Sequence, residues 1–263
     1  APRSGCSLGH REQMNTLTHV IDGSMVYGPT VERAKILRSF RGGRLKTSSF
    51  QNKEFLPFDR GNHSDDCAIP ERDQSRFKCF LGGDARVNEQ TGLTMIHALF
   101  VREHNRVAAE LSRLNPNWPD NTLYQEARRI VAAEIQHITY NEYLPTILSP
   151  TVMKQFGLLP KTFDFTYNYD PKINPNVLNE FAGAAYRFHS LVQGTFRALN
   201  QNGQPTQVIR LHEVFNNPLT LYNPNAFEQF LNGFVTDPGQ TWDHFFTDSV
   251  CFGIYNCFSK FNN

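Results

Sequence analysis

The sequence predicts a mainly α fold with little β structure, and three observations carry that expectation. Three long segments repeat apolar residues at three- and four-residue steps. Strand-like patterning is sparse, "PTQVIRL" being its best example. The polar, Pro- and Gly-containing connections hold no internal repeat, no low-complexity block and no clear linker. Residues 1–263 are therefore expected to form a single domain in which helices pack on one another rather than on a sheet.

Taken in chain order, a short helix is expected over 31–40. The polar connection 47–78 follows. The first long helix spans about 92–115, with Leu93, Ile96, Phe100, His104, Val107 and Leu111 as its buried stripe. The second spans about 123–144; Thr122 and Gln125 have capping-box spacing at its start and Pro145 ends it. A second connection, 167–174, leads to the third, with Asn174 as N-cap and Pro175 at the first helical position. Its stripe is Leu178, Phe181, Ala185, Phe188 and Val192, with His189 at the edge. A last short helix is expected over 223–231.

A net charge of +1 with 19% charged residues gives no electrostatic footprint for nucleic acid or an anionic membrane. Apolar content of 40% and 13% aromatics argue against disorder, and 22 Phe point to a large aromatic interior. No run reaches the length of a transmembrane helix. No charged-then-apolar leader is found at the start, and the opening Ala-Pro-Arg reads as a mature product or an interior piece. Cysteines stand at 6, 67, 79, 251 and 257, an odd set that leaves at least one without a partner within the chain. Cys67 and Cys79 flank a polar stretch suited to a short disulfide-closed loop, and Asn62-His63-Ser64 just before it is a glycosylation sequon. Together these favour a secreted protein. Neither CxxC nor HExxH occurs, which argues against a structural zinc site or a zincin.

Three constellations have chemical potential. In "LTHVIDGSMVYG", Thr18, Val20, Asp22 and Ser24 alternate, so hydroxyls, a carboxylate and backbone carbonyls can gather as the hard oxygen shell that calcium prefers. An ordinary Asp-Gly turn explains the same residues. Arg86 and Glu89, three apart near a helix start, read locally as a surface ion pair. His97 and His104 lie on the first long helix and read as buried imidazoles bonded to backbone or to a carboxylate such as Glu103. His189 follows "FAGAAYRF", a face that can bury an imidazole or press a planar cofactor against it.

Four ordered stretches, "LTHVIDGSMVYGPT", "CFLGGDARVNEQTGLTMIHALFVREHNRVAAEL", "LYQEARRIVAAEIQHITYNEYLPTIL" and "AAYRFHSLVQG", together resemble the animal haem peroxidases. That group includes myeloperoxidase, peroxidasin and arthropod chorion peroxidase. The resemblance runs from about Arg11 to Asp248 and implies a helical haem-peroxidase-like domain that reduces hydrogen peroxide and oxidises small substrates. It implies haem and calcium as cofactors. Thr18, Val20 (through its carbonyl), Asp22 and Ser24 become calcium ligands. Arg86 matches the distal-side arginine, Glu89 the carboxylate that forms an ester with a haem methyl, and His189 the proximal iron ligand. Where some members carry a haem-linked methionine this chain has Gln90, so no sulfonium bond is implied. His97 and His104 match no catalytic position.

The chain also departs from the family pattern. The family's distal histidine lies upstream of the calcium loop, with a second ester-forming aspartate, and only 17 residues precede Thr18 here. The family's "RGRDHG" segment downstream of the proximal histidine is absent, the chain finishing "DSVCFGIYNCFSKFNN". Family members similar to myeloperoxidase have glycine before the proximal histidine, where this chain has Phe188. The expectation is thus the central part of a peroxidase domain, truncated at both ends, with a separate chain or a missing segment supplying the distal histidine. Without that histidine, proton transfer contributing factors of about 100 to 10,000 is lost. The alternative is a non-catalytic extracellular binding or adhesion module on a peroxidase scaffold.

Overall fold

The longest helix forms where its first turn is capped locally. In the computed structural model, which describes residues 15–250 apart from 51, 60–66, 166 and 168, the Gln90 side chain accepts a 2.6 Å bond from the Gly92 N–H. Cys6, Cys251, Cys257 and the sequon lie outside the described residues. That cap starts α3 (Thr91–Leu114), which follows α1 (Ser24–Tyr27), α2 (Val31–Leu37) and the antiparallel hairpin β1 (Ser48–Phe50) and β2 (Lys53–Phe55). Then come α4 (Asp120–Ile138), α5 (Leu144–Ile147), α6 (Pro150–Gln155), the hairpin β3 (Thr195–Leu199) and β4 (Pro205–Arg210), and α7 (Ala226–Thr236). The fold is mainly helical, with each sheet reduced to two strands.

Helix α3 packs against α4 and α1, burying Met95, Ala98, Val101, Val107 and Ala108 against Leu123, Tyr124, Ala127 and Val131. This corrects the expected stripe. Ile96 is 39% exposed, whereas Met95 and Ala98 are buried, because apolar residues occur on more than one face and α4 covers only one. A second aromatic cluster forms around Tyr222, whose ring lies against Phe50, Phe55, Phe58, Phe77 and Phe80. Its hydroxyl donates 2.6 Å to the Lys78 carbonyl, so the one polar atom of that ring is satisfied. The Cys67–Cys79 disulfide forms as the spacing suggested and ties this cluster to the preceding loop.

The other helix boundaries differ from the sequence reading in instructive ways. α4 begins at Asp120 after Pro119, so Thr122 is interior and no capping box forms. The Asp120 carboxylate instead accepts from the Gly43 N–H at 2.7 Å and pairs with Arg38 at 2.7 Å. Pro145 does not end the helix. A π turn (Thr139–Tyr143) comes first, and Pro145 falls in the first turn of α5, where a missing N–H costs little. The third long helix does not form. Its residues hold only a π turn (Phe181–Ala185) and a 3₁₀ turn (His189–Leu191), broken by Phe188 at φ 42°. Leu178 and Phe181 are exposed, so the first half of the stripe buries too little apolar surface to stabilise a continuous helix. The strand "PTQVIRL" is confirmed as β4, paired with β3.

α7 lies directly on β3, and one residue permits it. A Cβ added at Gly233 would stand 1.8 Å from the Arg197 carbonyl oxygen, a backbone atom that cannot move without shifting the strand. We expect Gly233→Ala to destabilise the protein by about 3 kcal/mol or to prevent folding. Urea unfolding followed by tryptophan fluorescence checks this; a midpoint equal to wild type would show the helix free to lift off β3.

Candidate functional site

The central feature is the turn connecting the strand-like residues Phe80–Leu81 to α3. Gly82 and Gly83 bring the chain against α1, where a Cβ on Gly83 would sit 2.4 Å from both the Ser24 and Met25 carbonyl oxygens. Arg33 Nε donates to the Gly82 carbonyl at 2.8 Å. A 3₁₀ turn (Ala85–Asn88) follows, capped by Asp84, whose carboxylate accepts from the Arg86 N–H at 2.9 Å. Asn88, buried, pairs by its amide with both the N–H and the carbonyl of Phe80 at 2.8 Å. Thr94 donates from α3 to the Val87 carbonyl at 2.7 Å. The turn is thus fixed to α2, to Phe80 and to α3.

Arg86 leaves this rigid base with its side chain 56% exposed. Its bonded partner is Asp84, which accepts from Nε at 3.1 Å and from Nη2 at 2.7 Å. The local reading of an Arg86–Glu89 surface pair is corrected accordingly, although Glu89 lies within electrostatic reach. Glu89 is half-buried, and its carbonyl accepts from the Asn216 N–H at 3.1 Å. Burial opposes ionisation of Asp84, but the Arg86 side-chain and backbone bonds outweigh it and hold its carboxyl below the usual range. Those same bonds raise Arg86 further, so the guanidinium is permanently charged. Asp84 escaped the sequence reading, though its place two residues before an arginine at a Gly-Gly turn was a readable cap signal.

The Asp22 segment gathers oxygens. Thr18 Oγ1 donates to the Asp22 Oδ1 carboxylate oxygen at 2.9 Å and, its one proton used there, accepts from the Ser24 hydroxyl at 2.8 Å. The Ser24 N–H donates to Asp22 Oδ1 at 3.0 Å, and the Val20 carbonyl accepts from the Asp22 N–H at 3.0 Å. Asp-Gly turn geometry and an oxygen cluster therefore coexist in one loop. Among the described residues no group of three or more His, Cys, Asp or Glu forms a metal cage.

His189 is half-buried at the start of its 3₁₀ turn, and among the described residues neither ring nitrogen makes a hydrogen bond. Burial, followed by the nearby Arg187, pushes its pKa below the ordinary histidine value, so the ring is neutral at pH 7. Tyr186, three residues earlier, lies within electrostatic reach of Arg86. Phe188, immediately before His189, adopts the left-handed conformation that glycine prefers.

Similarity to known proteins follows the same residues. The Animal haem peroxidase family matches residues 1–256. The chain belongs to this family. It is 43% identical over 243 residues to chorion peroxidase of Aedes aegypti, covering 92% of this chain but 30% of that protein. It is 42% identical over 234 residues to the peroxidasin homolog of Homo sapiens, covering 86% of this chain and 15% of the relative. Peroxidase A from Dictyostelium discoideum matches in structure with a TM-score of 0.71 and 30% identity, over 87% of this chain and 42% of the other. The chain therefore spans less than a third of the length of these two curated relatives.

In this animal haem peroxidase chain the two α3 histidines are structural. His97 donates from Nδ1 to the Leu93 carbonyl at 2.6 Å, leaving Nε2 as a buried acceptor with no partner among the described residues. The Gly43 carbonyl, an obligate acceptor, lies 2.9 Å from His104 Nε2, so that nitrogen carries the proton and Nδ1 accepts from the Tyr27 hydroxyl at 3.0 Å. Glu103 takes no part, pairing with Arg106 instead. Burial, against the opposing Gly43 bond, lowers His104 to about 4. Its unfolded value is near 6.5. The folded chain thus binds fewer protons, and the stabilisation is complete above pH 6.5 and lost as pH falls toward 4. We expect about 3 kcal/mol to disappear across that window, seen in urea midpoints, with His104→Gln flattening the acid limb.

Proposed function

We propose that residues 1–263 are a partial haem peroxidase domain whose reaction couples hydrogen peroxide to oxidation of a small reducing substrate. The observation that supports this best is Arg86, a half-exposed, permanently charged guanidinium held on a rigid turn in a chain of this family. Haem, when bound, supplies the redox chemistry. His189 would hold it: its imidazole is neutral at pH 7 and uncommitted among the described residues, as an iron ligand must be. The stretch before it, residues 181–187, is exposed, and a Cβ on Gly183 would meet nothing within 4 Å, leaving room for a planar group. Glu89 would tether that group through its carboxylate.

Arg86 would donate to the peroxide oxygen that gains negative charge. A fixed donor costs little reorganisation as charge develops, and removing one such donor typically slows reaction by about 100- to 1,000-fold. The distal proton carrier belongs to a further segment or chain. Calcium would bind through Thr18 Oγ1, the Val20 carbonyl, Asp22 Oδ1 and Ser24 Oγ, an all-oxygen set of the right hardness that needs further ligands to reach six or more. Secretion is part of the same reading, supported by the Cys67–Cys79 disulfide. No helix among the described residues is long and apolar enough to cross a membrane.

The deciding measurement is the absorption spectrum of the purified chain reconstituted with haem and calcium. A Soret band that changes on adding peroxide is expected; absence of haem uptake would overturn the proposal. Arg86→Ala should keep the band while slowing the peroxide response by about 100-fold or more, and His189→Ala should lose uptake. Calcium at one hundred times its Kd should stabilise the wild type by about 2.7 kcal/mol. The same addition should leave Asp22→Ala unmoved.

A further inference from the structure

We propose that Asp84 is a positioning residue that fixes which edge of the Arg86 guanidinium is presented to the peroxide oxygens. This rests on the peroxidase reading of Arg86 and deepens it. A guanidinium is planar and carries five N–H donors in a rigid fork. Asp84 occupies one edge, accepting from Nε at 3.1 Å and from Nη2 at 2.7 Å. No hydrogen bond reaches Nη1 from a described residue, and the Arg86 side chain is 56% exposed while that of Asp84 is 11% exposed. The buried carboxylate therefore grips the inner edge, and the outer edge makes no hydrogen bond to a described residue.

The grip is itself anchored. The Asp84 N–H donates to the Met25 carbonyl of α1 at 3.2 Å, and its own carbonyl accepts from the Val87 N–H at 3.3 Å. Gly83, just before it, lies against the α1 backbone so closely that no side chain fits. The carboxylate thus has its origin fixed by backbone, and a bidentate, charge-assisted pair transmits that position to Arg86. An arginine on an exposed stem would otherwise sample many rotamers and lose that freedom at the moment of reaction. The pair also balances charge, so Arg86 acts as an oriented donor more than as a bare cation.

Asp84→Asn is the discriminating variant. Asparagine is as good an N-cap as aspartate, so the acceptor for the Arg86 N–H is retained while the charge-assisted grip is lost. In the ¹⁵N-arginine-labelled chain without haem, the Arg86 side-chain signals are identified by their loss in Arg86→Lys. We expect Asp84→Asn to speed rotation about the Arg86 Nε–Cζ bond by about tenfold, and Asp84→Glu to restore part of the slow rotation. Equal rotation in wild type and Asp84→Asn would overturn the proposal. In the haem-loaded chain, Asp84→Asn should slow the peroxide response by about tenfold with an unchanged Soret band. A peroxide response equal to wild type would likewise overturn it. A loaded wild-type chain inert to peroxide overturns the peroxidase reading instead, and the rotation rate then decides the positioning role alone.

Discussion

The close backbone approach at Gly83 is the constraint on which the rest of the candidate site depends. Two carbonyls of α1 lie where a Cβ would stand. The oxygen-bearing loop around Asp22 and the turn bearing Arg86 are therefore held together by main chain rather than by adjustable side chains. From that contact the chain is tied onward: Arg33 to Gly82, Asn88 to Phe80, and Thr94 to Val87. Such bonds are individually worth about 1 kcal/mol. Their value here is geometric, since together they leave the 3₁₀ turn a single position. The side chains that leave this turn inherit its rigidity.

Behind the turn, buried polar groups do work that apolar packing alone would not. His104 joins Tyr27 of α1 to the Gly43 carbonyl, while Asn105 pairs with the backbone of Leu45 and Asp120 takes the Gly43 N–H. The loop over 38–45 thus has the backbone groups of Gly43 and Leu45 satisfied by α3 and α4, although it forms little regular structure of its own. Neutral imidazoles suit this role because they combine a donor and an acceptor without a charge to desolvate. Phe163, Phe165, Tyr169, Trp242 and Phe245 remain largely exposed, so the aromatic richness of the chain is only partly used in its interior.

Much of the architecture was legible because it rests on local rules. α3 and α4 were marked by helical periodicity, the Cys67–Cys79 loop by spacing, and β4 by its β-branched residues. Family membership was legible for another reason: four motifs in order are hard to produce by chance, and the match over residues 1–256 bears them out. What misled was pattern without partner. The stripe from Leu178 to Val192 has helical spacing, yet its N-terminal part, Leu178 and Phe181, stays exposed and Phe188 turns the wrong way for a helix. Thr122 and Gln125 have capping spacing, but Pro119 and Asp120 had already begun the helix.

The sequence by itself determined the helical class and the family, because these follow from short-range pattern and motif order. Only the tertiary structure decided that Arg86 answers to Asp84, that His104 serves Tyr27 and Gly43, and that Gly83 and Gly233 stand where backbones meet. Those facts depend on which surfaces come together across tens of residues. A carboxylate two positions away and one three positions away are equivalent in a linear string. The 3₁₀ turn separates them, by aiming one at the guanidinium as a cap and setting the other at its far end.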